Sequence, residues 1–196
     1  MSQDFHIGIK SHNTHHVSRC HAAVLVIRNP YDTLKAEFNR RISQMKTGNG
    51  QAAHTDTIDP EYFRSDKWRR YVRGTSKTWS NFYKGAITGL KNQGKGFHLL
   101  FHDLLKTQKV EEMRKLYDFL EEEASEDFKV DNVEERLNCI ENQKLDKYKR
   151  KNQEFDFDLF LPDEIKAINE LVEGYKEFFK NNSIEFPEET VHNWLK

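Results

Sequence analysis

Arg28 stands directly after a continuous apolar run, Ala22-Ala23-Val24-Leu25-Val26-Ile27, and directly before Asn29-Pro30. A guanidinium between a buried strand and a helix N-terminus can grip a phosphate, because it adds a bidentate fork to the helix's free N–H groups. The competing reading is an ion pair with Asp32 or Glu37. Lys10-Ser11-His12 closes an earlier alternating stretch. A lysine there can hold a sulfuryl or phosphoryl oxygen, and a nearby histidine can take the proton of an attacking hydroxyl. The plain alternative is a solvated loop. Lys147-Tyr148-Lys149-Arg150-Lys151 is a compact basic run in an otherwise neutral chain, which is either solvated surface or an anion site.

Other chemistries fit less well. His12, His15, His16 and His21 form a histidine-rich stretch, but it lacks the glutamate of the metalloprotease pattern, so no metal is expected. The 31 Lys and Arg residues against 32 Asp and Glu give a net charge of -1, so no global field draws in nucleic acid and any anion site is local. The cysteines, Cys20 and Cys139, fit no zinc motif and leave open whether they pair. No run approaches the roughly 20 apolar residues of a membrane span, and MSQDFHIGIK has no apolar signal core. Trp68 and Trp79 lie about three helical turns apart on one face; they read as core residues, with carbohydrate stacking as the sharper alternative.

The elements that must position these groups follow from periodicity. Phe5 to Lys10 alternates like a short strand, and Ala22 to Ile27 reads as a strand buried on both faces. Pro30 opens a helix over Tyr31 to about Met45 with Leu34, Phe38 and Ile42 on one side. Thr47 to Thr57 is a loop, and Asp59 to Leu90 is helical with aromatic anchors. Asn92 to Gly96 turns into a second buried strand, Phe97 to Phe101. Helices follow over Val110 to Glu123, Asn132 to Asn142 and Pro162 to Asn181, with an irregular segment from Lys144 to Phe160. Strands separated by helices imply a parallel sheet with ligands at the carboxyl ends of its strands. Lys10 with His12, Arg28, and His102 with Asp103 all fall at that edge. The chain is therefore read as a single α/β domain spanning residues 1–196.

The same positions resemble a known family. VLVIRNPYDTLKAEFNR is similar to the segment by which sulfotransferases hold the 3'-phosphate of 3'-phosphoadenosine 5'-phosphosulfate (PAPS), and it most resembles the sulfotransferase domain of the WSC-domain-containing proteins. Residues 8 to 12, GIKSH, look like the family's K-T-H strand end. FHLLFHDLLK resembles a strand running into an E/D-D-L turn, and Met113, Leu116, Phe119 and Leu120 match the helix after it. Asn138-Cys139-Ile140-Glu141-Asn142 with Lys149 and Arg150 look like a C-x-E-N segment and its basic loop. The likeness runs from about Gly8 to Asn181.

The resemblance implies a P-loop-like three-layer domain, a small parallel sheet flanked by helices, which moves a sulfuryl group from PAPS to a carbohydrate hydroxyl without a metal. Arg28, Lys149 and Arg150 would hold the 3'-phosphate end of the donor. Lys10 would face the transferring sulfate and His12 would be the base. The acceptor would be a glycan or glycoprotein. Relatives of this type work in the Golgi lumen, and Asn181-Asn182-Ser183 is a glycosylation sequon consistent with that, while a cytosolic product stays open.

Two departures qualify the likeness. Sulfotransferases begin with a strand and a Gly/Ser/Thr-rich loop around the 5'-phosphosulfate. Only seven residues precede Gly8, so a domain truncated at its N-terminus and lacking that loop is expected. Many members also carry a serine eight residues after the arginine, where this chain has Ala36; Thr33 or Lys35 are the candidate substitutes. The alternative function is a catalytically impaired domain that binds a nucleotide, glycan or protein.

Overall fold

The computed structural model describes residues 20–48, 56–123, 130–142 and 153–196. The expected strand from Phe5 to Lys10, most of the loop after Thr47 and the basic run around Lys149 and Arg150 lie outside the described residues. Strand β1 (Ala23–Ile27) pairs in parallel with β2 (Phe97–Phe101), with Leu25 opposite Leu99 and Ile27 opposite Phe101. Leu25, Ile27, Leu99 and Phe101 therefore share one face, and they enter the larger hydrophobic cluster. On the opposite face, His98 stacks 5.5 Å from Phe119 of helix α4 (Lys109–Glu123). That helix covers β2 on this face, but Val26 of β1 stays 50% exposed there, so β1 is buried on one face and not on both as its apolar run predicts; the protein is a mostly helical α/β domain around a two-stranded parallel sheet.

Helix α1 (Pro30–Thr47) begins where proline requires it and ends at Gly48, whose φ of 66° is the left-handed conformation that glycine adopts without a Cβ clash. Its Leu34, Phe38 and Ile42 are buried, as their spacing predicts. Asn39 is also buried, because both ends of its amide are used: Nδ2 donates to Asp56 O (2.7 Å) and Oδ1 accepts from Ile58 N (3.1 Å).

The long helical stretch expected from Asp59 to Leu90 is divided. Pro60–Arg64 forms a 3-10 turn, Ser65 is extended, and α2 (Asp66–Asn92) starts beyond it with Ser65 Oγ accepting from Trp68 N (3.3 Å). A serine side chain bonded to the backbone favours a cap over a helix interior, which is why the break falls there.

Helix α2 packs along α6 (Pro162–Asn181), and this pair carries both core clusters. Trp68, Val72 and Ile168 belong to one cluster with Phe38, Phe63 and Phe160. Trp79, Ile87, Leu90, Val172, Tyr175 and Phe179 belong to the other with the strands. Three short helices complete the described chain: α3 (His102–Thr107), α5 (Val133–Asn142) and α7 (Glu188–His192). α3 and α7 have only a few residues each, too few for an apolar period to show in sequence.

A buried ion pair joins α2 to the start of α6. The Glu164 side chain is 1% exposed; its Oε2 accepts from Arg69 Nη1 and from Leu161 N, both at 2.9 Å. Arg73 Nε lies 3.8 Å from the other carboxylate oxygen, which makes no hydrogen bond. Removing Arg69 would leave a carboxylate out of water and poorly compensated. Arg69→Met is expected to lower the unfolding free energy by about 3 kcal/mol, the low end for a broken buried pair because Arg73 and the Leu161 amide remain. Urea unfolding measures this, and a loss under about 0.5 kcal/mol would contradict the assignment.

Candidate functional site

The parallel register brings the residues after the two strands to one rim. Arg28 directly follows β1, and His102 and Asp103 directly follow β2. The Arg28 side chain is 35% exposed. One nitrogen, Nη2, lies 3.6 Å from Asp32 Oδ2, while Nε is shielded from solvent without a hydrogen bond. Asp32, rather than Glu37, is thus the acidic neighbour. Glu37 turns to Arg40 Nη2 (2.6 Å) and Arg41 Nε (3.0 Å) instead. At 3.6 Å the Arg28–Asp32 contact is a loose, part-exposed pair of small worth, so the fork keeps most of its capacity for another anion.

The helix beside it contributes less than its position suggests. Asn29 Oδ1 accepts from Tyr31 N (2.9 Å), Pro30 has no N–H, and Thr33 N donates to Asn29 O (2.9 Å). That leaves the Asp32 amide as the first-turn donor not engaged by the cap. Thr33 Oγ1 donates back to Asn29 O at 2.9 Å, so its hydroxyl is turned to the helix rather than to a ligand. Lys35, by contrast, stays close enough to Arg28 to feel its charge.

His102 forms the other side of the rim. Its Nδ1 is buried without a hydrogen bond, and Asp103 Oδ1 is 3.8 Å away, an ion-pair contact too long to be a hydrogen bond. Burial lowers the His102 pKa below its ordinary 6.5, and the charges of Arg28 and Lys106 lower it further against the pull of Asp103. The neutral imidazole is therefore favoured, which is the form that accepts a proton. Asp103 is held in place by Trp194 Nε1, which donates to Oδ2 (2.8 Å), and by Lys106 Nζ (3.1 Å). Those donors keep its carboxyl pKa below the usual value although burial, the largest influence, pushes the other way. Trp194 comes from the segment after α7, a contribution no local sequence signal announces.

Of the expected site residues, Arg28 is at the rim, whereas Lys10, His12, Lys149 and Arg150 lie outside the described residues. Among the described residues no group of three or more His, Cys, Asp or Glu is arranged to hold a metal. Trp68 and Trp79 are 0% and 5% exposed, so they are core and offer no stacking face to a sugar. An open groove of about 900 Å³ runs along α6, lined by Asn169, Glu173, Lys180 and Lys196 among others. Its walls carry both signs of charge, and neither Arg28 nor His102 lines it. No helix among the described residues is long and apolar enough to cross a membrane.

The rim has a titration signature. The folded pKa of His102 is depressed, so its contribution to stability is present above about 6.5 and is lost as pH falls through the lower folded value. NMR titration of His102 Hε1 should give a midpoint below 6.5. Arg28→Met should raise that midpoint and Asp103→Asn should lower it. A midpoint unmoved by Arg28→Met would mean that the guanidinium does not face the imidazole. No protein-family model matches the chain, and no solved structure matches it.

Proposed function

We propose that this chain is a sulfotransferase-like domain of P-loop-like architecture that holds PAPS by its ribose 3'-phosphate and serves transfer of the sulfuryl group to a carbohydrate hydroxyl. The observation that carries this reading is the half-engaged guanidinium of Arg28 at the carboxyl rim of two parallel strands. Such rims are where open α/β sheets take their ligands. The order of sequence motifs around it supports the same reading.

In this reading Arg28, with Lys149 and Arg150, binds the 3'-phosphate, and Lys10 faces the sulfate. The acceptor oxygen attacks sulfur, and the bond from sulfur to the phosphate oxygen breaks. His12 takes the hydroxyl proton, and adenosine 3',5'-bisphosphate leaves. The enzyme's contribution is placement and stabilisation of spread negative charge, so no metal is required. Asn181, the acceptor of the sequon, is exposed at the end of α6, which suits a glycoprotein of the secretory route.

A second reading is favoured by the cap. With the first-turn amides largely consumed by Asn29, the start of α1 has few backbone N–H groups left to add to Arg28 in holding a phosphate. Binding without transfer would follow, as in a nucleotide- or glycan-binding module. Calorimetry with adenosine 3',5'-bisphosphate, followed by transfer of labelled sulfate from PAPS to a glycan panel, separates the two. Arg28→Ala should weaken nucleotide binding at least tenfold, which is about 1.4 kcal/mol. His12→Ala should spare binding and stop transfer. An affinity unchanged by Arg28→Ala would overturn the site, and turnover unchanged by His12→Ala would remove that histidine as base.

A further inference from the structure

Helix α2 is charged in one sense. Asp66, its first residue, is its sole acid, while Lys67, Arg69, Arg70, Arg73 and Lys77 follow in its first half. Two of these cations are engaged. Arg69 belongs to the buried Glu164, and Arg73 reaches Asp163 at 3.3 Å. Lys67, Arg70 and Lys77 are exposed. Lys67 Nζ touches the thioether of Met45 (3.5 Å), and among the described residues neither Arg70 nor Lys77 has a hydrogen-bond or ion-pair partner, Asp66 included.

Helical geometry sets these three in a row. They fall within roughly a quarter turn of the circumference and span about 15 Å along the axis. Trp68, Val72 and Trp79 are buried on the other side of the helix. Gly74 lies between Arg70 and Lys77, and a Cβ there would meet nothing within 4 Å, so the row is unobstructed. Arg41 of α1 borders it, with its guanidinium carbon 5.3 Å from the centre of the Tyr71 ring.

A row of charges without a pocket suits an extended polyanion, because such a partner needs cations along a line and not around a point. The face offers little to other polyanionic partners. Single-stranded nucleic acid binds on stacking platforms, but Trp68 is buried and Tyr71 is half-buried beneath Arg41. Protein partners anchor large side chains in a desolvated pocket, and membranes take up an apolar stripe. Beside this row the exposed Met45 stands alone as a large apolar side chain. A polysaccharide carrying its charges on a polar backbone requires neither. The row also ends near the sheet: Tyr83 Oη donates to Val26 O (2.8 Å), and Lys77 is about 9 Å from Tyr83 along the helix axis.

We propose that the exposed face of α2 through Lys67, Arg70 and Lys77 docks a linear polysaccharide bearing repeated carboxylate or sulfate groups. The inference deepens the carbohydrate half of the reading above, on which the choice of a polysaccharide rests, and it uses none of the groups at the rim. Each contact displaces counterions from the polymer, so the affinity falls as salt rises.

The test titrates the whole chain with size-defined heparin, a sulfated polysaccharide, by calorimetry over a series of salt concentrations. Lys67→Gln, Arg70→Gln and Lys77→Gln combined should weaken binding about tenfold or more and flatten its salt dependence, while Arg70→Lys should retain it. The thermal midpoint should stay unchanged, because all three side chains are exposed. Lys180→Gln is the control for net charge, since that lysine pairs with Glu188 (2.6 Å) at the far end of α6. Duplex DNA and phosphatidylserine vesicles are the rival polyanions. Heparin binding that survives the triple substitution overturns the inference, and so does tighter binding of either rival through the same three residues. Adenosine 3',5'-bisphosphate keeps the nucleotide reading separate, because the triple substitution should not change its affinity. A chain that binds the nucleotide and no heparin sinks the docking face alone. One that binds heparin through the row and no nucleotide supports the face and sinks the nucleotide reading alone.

Discussion

The parallel pairing of Ile27 with Phe101 is the constraint from which the rest of the site follows. It places the residues after two strands, more than seventy positions apart in sequence, on one edge of the sheet. Arg28 and His102 are neighbours because of that register and for no local reason. A slip of one residue would turn Ile27 and Phe101, both nearly solvent-free, out of the core. Burial of those two side chains therefore fixes the register, and the register fixes which charges share the rim.

The frame behind the sheet is the α2–α6 pair. These helices carry aromatic residues into two core clusters, and a buried Arg69–Glu164 pair locks their relative placement. Such a pair adds less to stability than its geometry suggests, because both charges leave water. Its role is better seen as positional. Glu164 caps the start of α6, and α6 carries Asn169, which in turn holds Tyr31 and Lys196. A chain of polar contacts thus runs from the core frame to the start of α1 and to the last residue of the chain. The rim on the other side is tied down in the same way by Trp194, whose ring is buried and whose indole N–H holds Asp103.

The electrostatics of the rim run against the neutral composition of the chain. Net charge is -1, yet Arg28 and Lys106 both act on His102 at the end of β2. Asp32 and Asp103 moderate that field without cancelling it. The result is an imidazole held toward its neutral form by burial and by the neighbouring charges of Arg28 and Lys106.

Much of the architecture was legible in order and period. The strands at Ala23–Ile27 and Phe97–Phe101, the proline-opened helices at Pro30 and Pro162, and the rim position of Arg28 follow from side-chain pattern alone, because a β-branched apolar run and the loss of an N–H at proline are local facts; the exposure of Val26 is not, since it depends on which helices pack on the sheet. The break at Ser65 and the short helices α3 and α7 depended on capping and on contacts too brief to set a period. Spacing left Arg28 between a ligand role and two carboxylates. The fold selected Asp32 and left the contact loose, because Glu37 found two arginines of its own helix. Lys196 and Trp194 could not be foreseen as site neighbours at all. Their positions come from the packing of the final segment against α6 and the sheet, and a side chain brought in from the far end of a chain leaves no trace in the spacing of residues around the site it reaches.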